Sequence, residues 1–286
     1  MDKKIKKLSN ILKSFKRVVV AYSGGLDSTL LLKAAVDALG RDNVLAITAR
    51  SETYPASEYR DAIKAAASIG ARHITIDTCE LKIKNFKENP VDRCYYCKKE
   101  LFKKLIAVKN RYGMKYVLDG TNYDDLKDIR YGTKAAMELG IKRPLLETKI
   151  TKKDIRKFSK NLGLPTWNKP SFACLASRFP FNSTIDREGL KKVDEAESYL
   201  RKTGFKQVRV RIHGDIARLE ILPADFSKAL RSKEKIVVKL RSLGFVYVAL
   251  DLAGYRTGSM HEAAAIRRRR NPLCRGARRP SAWRTH

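Results

Sequence analysis

Three groups of residues in this chain have the types and spacing to do chemistry. The first is Ser23-Gly24-Gly25-Leu26-Asp27-Ser28. Paired glycines let an anion reach backbone N–H groups that a Cβ would hold off. Ser23 and Ser28 add hydroxyls. Asp27 suits an anion site only when a cation such as Mg²⁺ comes with the anion. No Gly-Lys-Ser/Thr follows, so this is not a Walker loop. The second group is Cys94-Tyr95-Tyr96-Cys97, two thiols within reach of one metal or cluster; alone it is ambiguous among zinc, redox and iron–sulfur chemistry. The third is Cys174, in Lys169-Pro170-Ser171-Phe172-Ala173-Cys174-Leu175-Ala176-Ser177-Arg178. Three thiols suit a [4Fe–4S] cluster with one iron open to sulfide or substrate; structural zinc normally closes with four protein ligands. Cys79 is a candidate fourth ligand, but at the end of the segment after the third strand the plainer reading is a buried thiol.

Further candidates are basic. Arg209 and Arg211 alternate on a strand, share a face, and are placed to grip a phosphate; a solvent-facing basic edge is the plainer alternative. Glu197 and Glu220 are a weaker candidate for a second cation site. Arg178, beside Cys174, is a candidate contact for pyrophosphate or substrate. Tyr95 and Tyr96 shield a cluster, stack on a ring, or simply pack.

These residues need a scaffold. Val18–Tyr22, Val44–Thr48, His73–Ile76 and Tyr116–Leu118 read as strands, and Thr29–Leu39, Ser57–Ile69 and Lys98–Lys109 as helices between them. That rhythm predicts an α/β fold with a parallel sheet covered by helices on both faces. Ligands in such sheets bind beyond the C-terminal strand ends. Ser23–Ser28, the Ala49–Tyr54 segment and Gly120-Thr121-Asn122 fall there, making Ala49, Gly120 and Thr121 candidates to line a nucleotide pocket. Thr151–Leu162 reads as a helix with Thr151 as N-cap and Asp154 at the box position. Two prolines in Leu164–Pro170 predict a loop or linker. Downstream, a helix over Arg187–Arg201 and alternating strands over Gln207–Ile212, Ile216–Leu222 and Phe245–Leu250 predict a small α+β domain. The expected organisation is 1–170, 180–260 and a tail of 261–286.

The chain has 286 residues and a formal charge of +31. Eight arginines, one glutamate and no lysine lie in His261–His286, and without them the body still carries +24. This suits anionic partners such as nucleotides or RNA, or is a Lys-rich solvated surface. The tail, aperiodic and unlike the body, reads as disordered, with a vector-derived or frameshifted origin as the hypothesis that an intact-mass check decides. Five cysteines without a secretory signal argue against a disulfide framework. No apolar run approaches the ~20 residues of a membrane helix. A cytoplasmic enzyme is the expectation.

The string Ser-Gly-Gly-x-Asp-Ser between strand and helix resembles the PP-loop of the ATP-pyrophosphatase superfamily, which implies cleavage of ATP to AMP and pyrophosphate through an adenylated intermediate. Asn89–Phe102, Asp119–Asn122, Lys169–Arg178 and Gly254–Ser259 together resemble the LarE-type sulfur transferases, and the similarity runs from about Ile5 to Met260. The resemblance implies a pyridinium carboxylate mononucleotide as substrate. It implies adenylation of a carboxylate by ATP with Mg²⁺, attack by sulfur, and a thiocarboxylate product destined for the nickel-pincer cofactor of lactate racemase. Catalytic Asp27 and Cys174 follow from it. Some members give up the sulfur of the cysteine matching Cys174. Others carry three cysteines, thought to hold a [4Fe–4S] cluster with an extra sulfide; Cys94, Cys97 and Cys174 match these. The family implies a homo-oligomer and leaves the sulfide donor unknown. The alternative reading is a tRNA-thiolating PP-loop enzyme, disfavoured because no RNA-binding module is appended.

Overall fold

The computed structural model describes residues 2–127, 131–170, 173–256, 258–260 and 262. By its internal contacts the chain divides into two compact units, 1–198 and 199–286.

The first unit opens with α1 (Lys3–Phe15), which the sequence left unassigned because its lysines mask a stripe of Leu8, Leu12 and Phe15. Asp2 caps it by accepting a hydrogen bond from the Lys4 N–H. Then come β1 (Val18–Ala21), α2 (Leu26–Leu39), β2 (Val44–Arg50), α3 (Ala56–Ser68), β3 (Arg72–Asp77), the short α4 (Lys84–Lys87), α5 (Arg93–Arg111) and β4 (Tyr116–Leu118). After these follow α6 (Tyr131–Glu138), α7 (Pro144–Glu147), α8 (Lys152–Asn161) and α9 (Arg187–Lys202), the last running across the division between the units.

The four strands form a parallel sheet in the order β3-β2-β1-β4. Successive side chains of a strand point to opposite faces, and both faces are apolar. Val18 and Val20 of β1, with Val44 and Ala46 of β2, join Leu30 and Leu31 of α2 and Leu8 and Leu12 of α1 in one core. Val19, Leu45 and Ile47 join Phe102 and Leu105 of α5 and Ala135 and Ala136 of α6 in the other. This two-sided burial is why the strands read as unbroken apolar runs. Each fully buried leucine or phenylalanine contributes roughly 1.5–3 kcal/mol. The chain leaves β1 for β2 on one side and meets β4 on the other, so the sheet order reverses beside β1, where open α/β sheets place ligands.

The segment after the two prolines stays with the first unit. Leu175 N–H donates to the Thr53 carbonyl and Ile185 N–H to that of Lys87. The division therefore falls within α9, downstream of the expected linker.

The second unit holds β5 (Val208–His213), β6 (Ile216–Ile221), α10 (Phe226–Arg231), α11 (Lys233–Ser242) and β7 (Tyr247–Leu250). β5 and β6 pair antiparallel, as their alternation predicts, and β7 joins β6 in parallel. The expected tail, Glu262 apart, lies outside the described residues, as do Ser171 and Phe172.

Candidate functional site

The loop Ser23–Ser28 leaves β1 at the sheet's C-terminal edge and enters α2, whose helix begins at Leu26. It starts three residues earlier than the sequence predicts, so Asp27 and Ser28 occupy its first turn. Gly24 has φ +60° and its missing Cβ would stand 2.5 Å from the Ala62 Cβ. A side chain there is excluded by both conformation and space. Gly120, after β4, lies against the same turn: a Cβ on it would be 3.1 Å from the Ser28 nitrogen. Ser28 Oγ donates to the Gly25 carbonyl and accepts from the Ser23 N–H, with the two hydroxyls 3.1 Å apart. Thr121 Oγ1 donates to Asp119. Ala49 pairs with Ile76 near the end of β2, one strand away.

Two lysines and a tyrosine that the sequence did not single out complete this corner. Lys152, first residue of α8, places Nζ 2.7 and 2.6 Å from the two Asp27 oxygens. Asn122 Nδ2 donates to Asp27 at 3.3 Å. The cation expected beside Asp27 is thus matched here by an ammonium. Lys169 Nζ pairs with Glu58 at 2.7 Å and reaches the Gly24 carbonyl at 3.4 Å. Tyr54 Oη donates to the Ser23 carbonyl at 2.7 Å. Burial, then the charge of Glu58, pushes the Tyr54 hydroxyl well above its ordinary range, so it stays a donor. Beside it lies a cleft of about 230 Å³ lined by Ser51, Glu52, Tyr54, Arg187 and Leu190 among others.

The second corner holds the thiols. The helix expected from Lys98 begins at Arg93, so Cys94 and Cys97 sit in the first turns of α5, three apart and on one side. Cys97 is partly buried and Cys94 exposed. Burial, then the nearby Glu80 carboxylate, then Cys174 and Cys94, push the Cys97 thiol well above the ordinary value, with Lys98 opposing. The three cysteines therefore share one neighbourhood. Among the described residues, no three His, Cys, Asp or Glu side chains converge closely enough to enclose a single metal ion. One observation bears on whether a cationic group fits. Glu80 is only 6% exposed, and its Oε2 has no hydrogen-bond partner. A buried anionic oxygen among thiols is the environment a positive group would relieve. The thiols are of the donor type an iron–sulfur group takes.

The two corners are joined. Lys98 Nζ pairs with Asp119 at 3.2 Å, and Asp119 leads directly into Gly120, against Ser28. Burial alone would lower the Lys98 amine, but Asp119 holds it above its usual value. Burial would likewise raise Asp119, and Lys98 holds it down.

Arg178, expected as a contact for pyrophosphate or substrate, is fully buried. It has no exposed surface; its Nε and Nη2 donate to Glu197 at 2.7 and 2.9 Å, and its Nη1 to the carbonyls of Ala173 and Cys174. It shapes the Cys174 loop, and the positive charge facing Glu197 is a guanidinium rather than a metal ion. Cys79 is only partly buried, with Sγ 4.0 Å from Glu52 Oε1. Tyr95 and Tyr96 meet edge-on at 5.3 Å, and Tyr95 Oη donates to Glu138.

In the second unit Arg209 and Arg211 are not a solvent-facing edge: they are 6% and 5% exposed. Arg211 donates to Glu220 Oε2 at 2.7 Å and to Ser259 Oγ at 3.0 Å, and Arg218 pairs with Glu220 at 3.0 Å. Arg209 stacks 5.3 Å from the centre of the Tyr255 ring. Glu220 faces guanidiniums, as Glu197 does.

Residues 3–214 match the family described as NAD synthase. The chain is 42% identical over 263 residues to an uncharacterised protein of Synechocystis sp., covering 91% of this chain and 98% of that one. It is 41% identical over 251 residues to the pyridinium-3,5-bisthiocarboxylic acid mononucleotide synthase of Lactiplantibacillus plantarum, covering 88% and 91%. A protein of Methanocaldococcus jannaschii is 37% identical over 260 residues, covering 89% and 98%. With the PP-loop at the turn where the sheet order reverses and these relatives matched nearly end to end, the chain belongs to the NAD synthase family of PP-loop proteins and, within it, to the LarE-type sulfur transferases.

Proposed function

We propose that this chain is an ATP-dependent sulfurtransferase that turns carboxylates of a pyridinium mononucleotide into thiocarboxylates, using sulfur delivered at a [4Fe–4S] cluster held by Cys94, Cys97 and Cys174. Its product would serve a nickel-pincer cofactor of the lactate racemase kind. The observation that carries this reading is the junction of the corners: Lys98, next to Cys97, pairs with Asp119, and Gly120 packs on the PP-loop turn. An activating site and a sulfur site built this close suit one acyl centre meeting both. The name of the Lactiplantibacillus plantarum relative, a bisthiocarboxylic acid mononucleotide synthase, supports the substrate class.

A carboxylate is a poor electrophile because its oxygen leaves badly. Its attack on the α-phosphorus of ATP expels pyrophosphate and gives an acyl adenylate. Sulfur then attacks the acyl carbon, AMP departs with the C–O bonding pair, and a thiocarboxylate remains. The backbone at Gly24–Gly25 and the α2 N-terminus receive the phosphates. Asp27 would hold Mg²⁺, which neutralises phosphate charge, and Lys152 supplies a further positive charge there. When bound, the cluster would supply a strongly nucleophilic sulfide without consuming a cysteine. Arg178 and Glu197 hold the Cys174 loop in place. Arg209 and Arg211 are the proposed grip for the substrate phosphate. Reduced thiols in this number fit the cytoplasm, and a homo-oligomer fits the family.

The test is anaerobic iron and sulfide analysis on the wild type and Cys174→Ala, with an assay for ATP-dependent thiocarboxylate formation. About four irons per chain, lost in the variant, with product formed only by the wild type, is expected. No iron in either protein after reconstitution would sink the cluster and return the reading to a sacrificial Cys174. tRNA that stays bound through high salt would favour tRNA thiolation.

A further inference from the structure

Asn89, just before α5, has no exposed surface and lies in the left-handed region at φ +55°. Its side chain reaches residues 90 and 91 positions away: Nδ2 donates to the Phe179 carbonyl at 3.3 Å and to the Pro180 carbonyl at 2.7 Å. Its own carbonyl accepts from the Asn182 N–H at 2.9 Å. Its Oδ1 accepts from Arg93 Nη1 at 2.8 Å, and the Arg93 guanidinium lies 5.0 Å from the centre of the Phe181 ring. Arg93 is 5% exposed, its Nε has no hydrogen-bond partner, and no ion pair engages it among the described residues. A buried guanidinium without a carboxylate recovers little of its desolvation cost, so stability alone accounts poorly for it.

Both ends of this bridge lead to thiols. Arg93 opens α5 and precedes Cys94, with Cys97 about one turn further on. Phe179 follows Arg178, whose Nη1 donates to the Cys174 carbonyl at 3.2 Å. A path of hydrogen bonds and adjacent residues therefore runs from Cys174 through Arg178, Phe179, Asn89 and Arg93 to Cys94. We infer that Asn89 and Arg93 are positioning residues: they clasp the start of α5 to the chain that follows the Cys174 loop, and so set Cys94 and Cys97 in register with Cys174. The clasp takes its purpose from the sulfur-transfer reading, because only a reaction that uses thiols from both segments needs them held together. The plainer role of Asn89, a left-handed turn, would be met equally by glycine; glycine cannot make the bridge.

The test uses the full chain, metal-free and reduced, as wild type, Asn89→Gly, Arg93→Met and the double variant, each held well below its melting temperature. Dibromobimane, a short bifunctional thiol reagent, is added, and peptides joining Cys174 to Cys94 or Cys97 are followed by mass spectrometry. Monofunctional iodoacetamide gives the reactivity of each thiol by itself. The wild type should link the two segments. Asn89→Gly should link them about ten-fold more slowly, with unchanged iodoacetamide rates, because joining two thiols through one reagent depends on their effective concentration. Arg93→Met should shift in the same direction, and the double variant should be no slower than Asn89→Gly, as for members of one network. Wild-type linking rates in either folded variant would overturn the clasp, and so would a wild type that forms no link to Cys174. No metal enters this measurement, so missing iron in the reconstituted enzyme would count against the cluster and not against the clasp.

Discussion

The two corners of the first unit are built on opposite terms. At the PP-loop, charges are already matched: Asp27 with Lys152, and Glu58 with Lys169. The loop's hydroxyls bond one another and its backbone is clasped by Tyr54. At the thiols no such match is made: Glu80 Oε2 is buried without a hydrogen-bond partner, and burial suppresses the ionisation of Cys97. The first corner is ready for an incoming nucleotide, whose phosphates find lysines and N–H groups in place. The second presents thiols, the donor type that the proposed cluster would take. Preorganisation costs little where the ligand is anionic and the protein supplies the positive charge; it cannot be achieved with thiolates alone.

The contrast can be broken in a set order. Cys174→Ala should abolish thiocarboxylate formation while leaving substrate-dependent pyrophosphate release, measured separately, within a few-fold of wild type. Loss of both activities would show that the corners are not separable. Arg178→Met should cost about 3–5 kcal/mol in urea unfolding, because it removes one partner of the Arg178–Glu197 ion pair in a site with no exposed surface. Replacing Glu197 by Met as well should restore most of that. Asp27→Asn should lower pyrophosphate release by about 10²–10³-fold, as losing one electrostatic contact to a reacting phosphate does. Full rate in that variant would leave Lys152 without a purpose at the loop.

The smallest expected effect lies away from both corners. Partial burial would raise the Asp154 carboxyl, but hydrogen bonds from Lys4 and from the Thr151 N–H and hydroxyl hold it at about 2. Its folded pKa is depressed, so its contribution is present above the unfolded value near 4 and fades as pH falls toward 2. Asp154→Asn should cost about 1 kcal/mol at neutral pH, the scale of a lost cap, discounted for solvent screening of the Lys4 pair. The difference from wild type should shrink as pH falls from 4 to 2 and vanish only below pH 2 in thermal melts.

The periodic part of the fold was legible in the sequence. The strands, the capping box at Thr151 and Asp154, and the β5–β6 hairpin all follow from apolar spacing and turn residues. Less legible was α1, whose lysines hide three buried positions, and the true start of α5, since Asp92 and Arg93 give no strong cap signal. Within the site, glycines and cysteines announce themselves because few residues can replace them. Lys152, Lys169 and Glu80 do not, since lysines and glutamates crowd this sequence and only a tertiary contact separates one from the rest. Arg178 is a different case: adjacency to Cys174 suggested a ligand contact, and what the fold adds is its buried pairing with Glu197 and its bonds to the Cys174 loop.

Cys94 and Cys97 stand in the opening turns of a helix whose N-terminus neither of them caps. A helix of 19 residues anchored by Phe102 and Leu105 does not depend on what its first turns display. On the proposed reading, both thiols could be exchanged for other residues, with Cys174 kept in its loop, turning a renewable sulfur supply into a single-use one without rebuilding the sheet or the nucleotide loop.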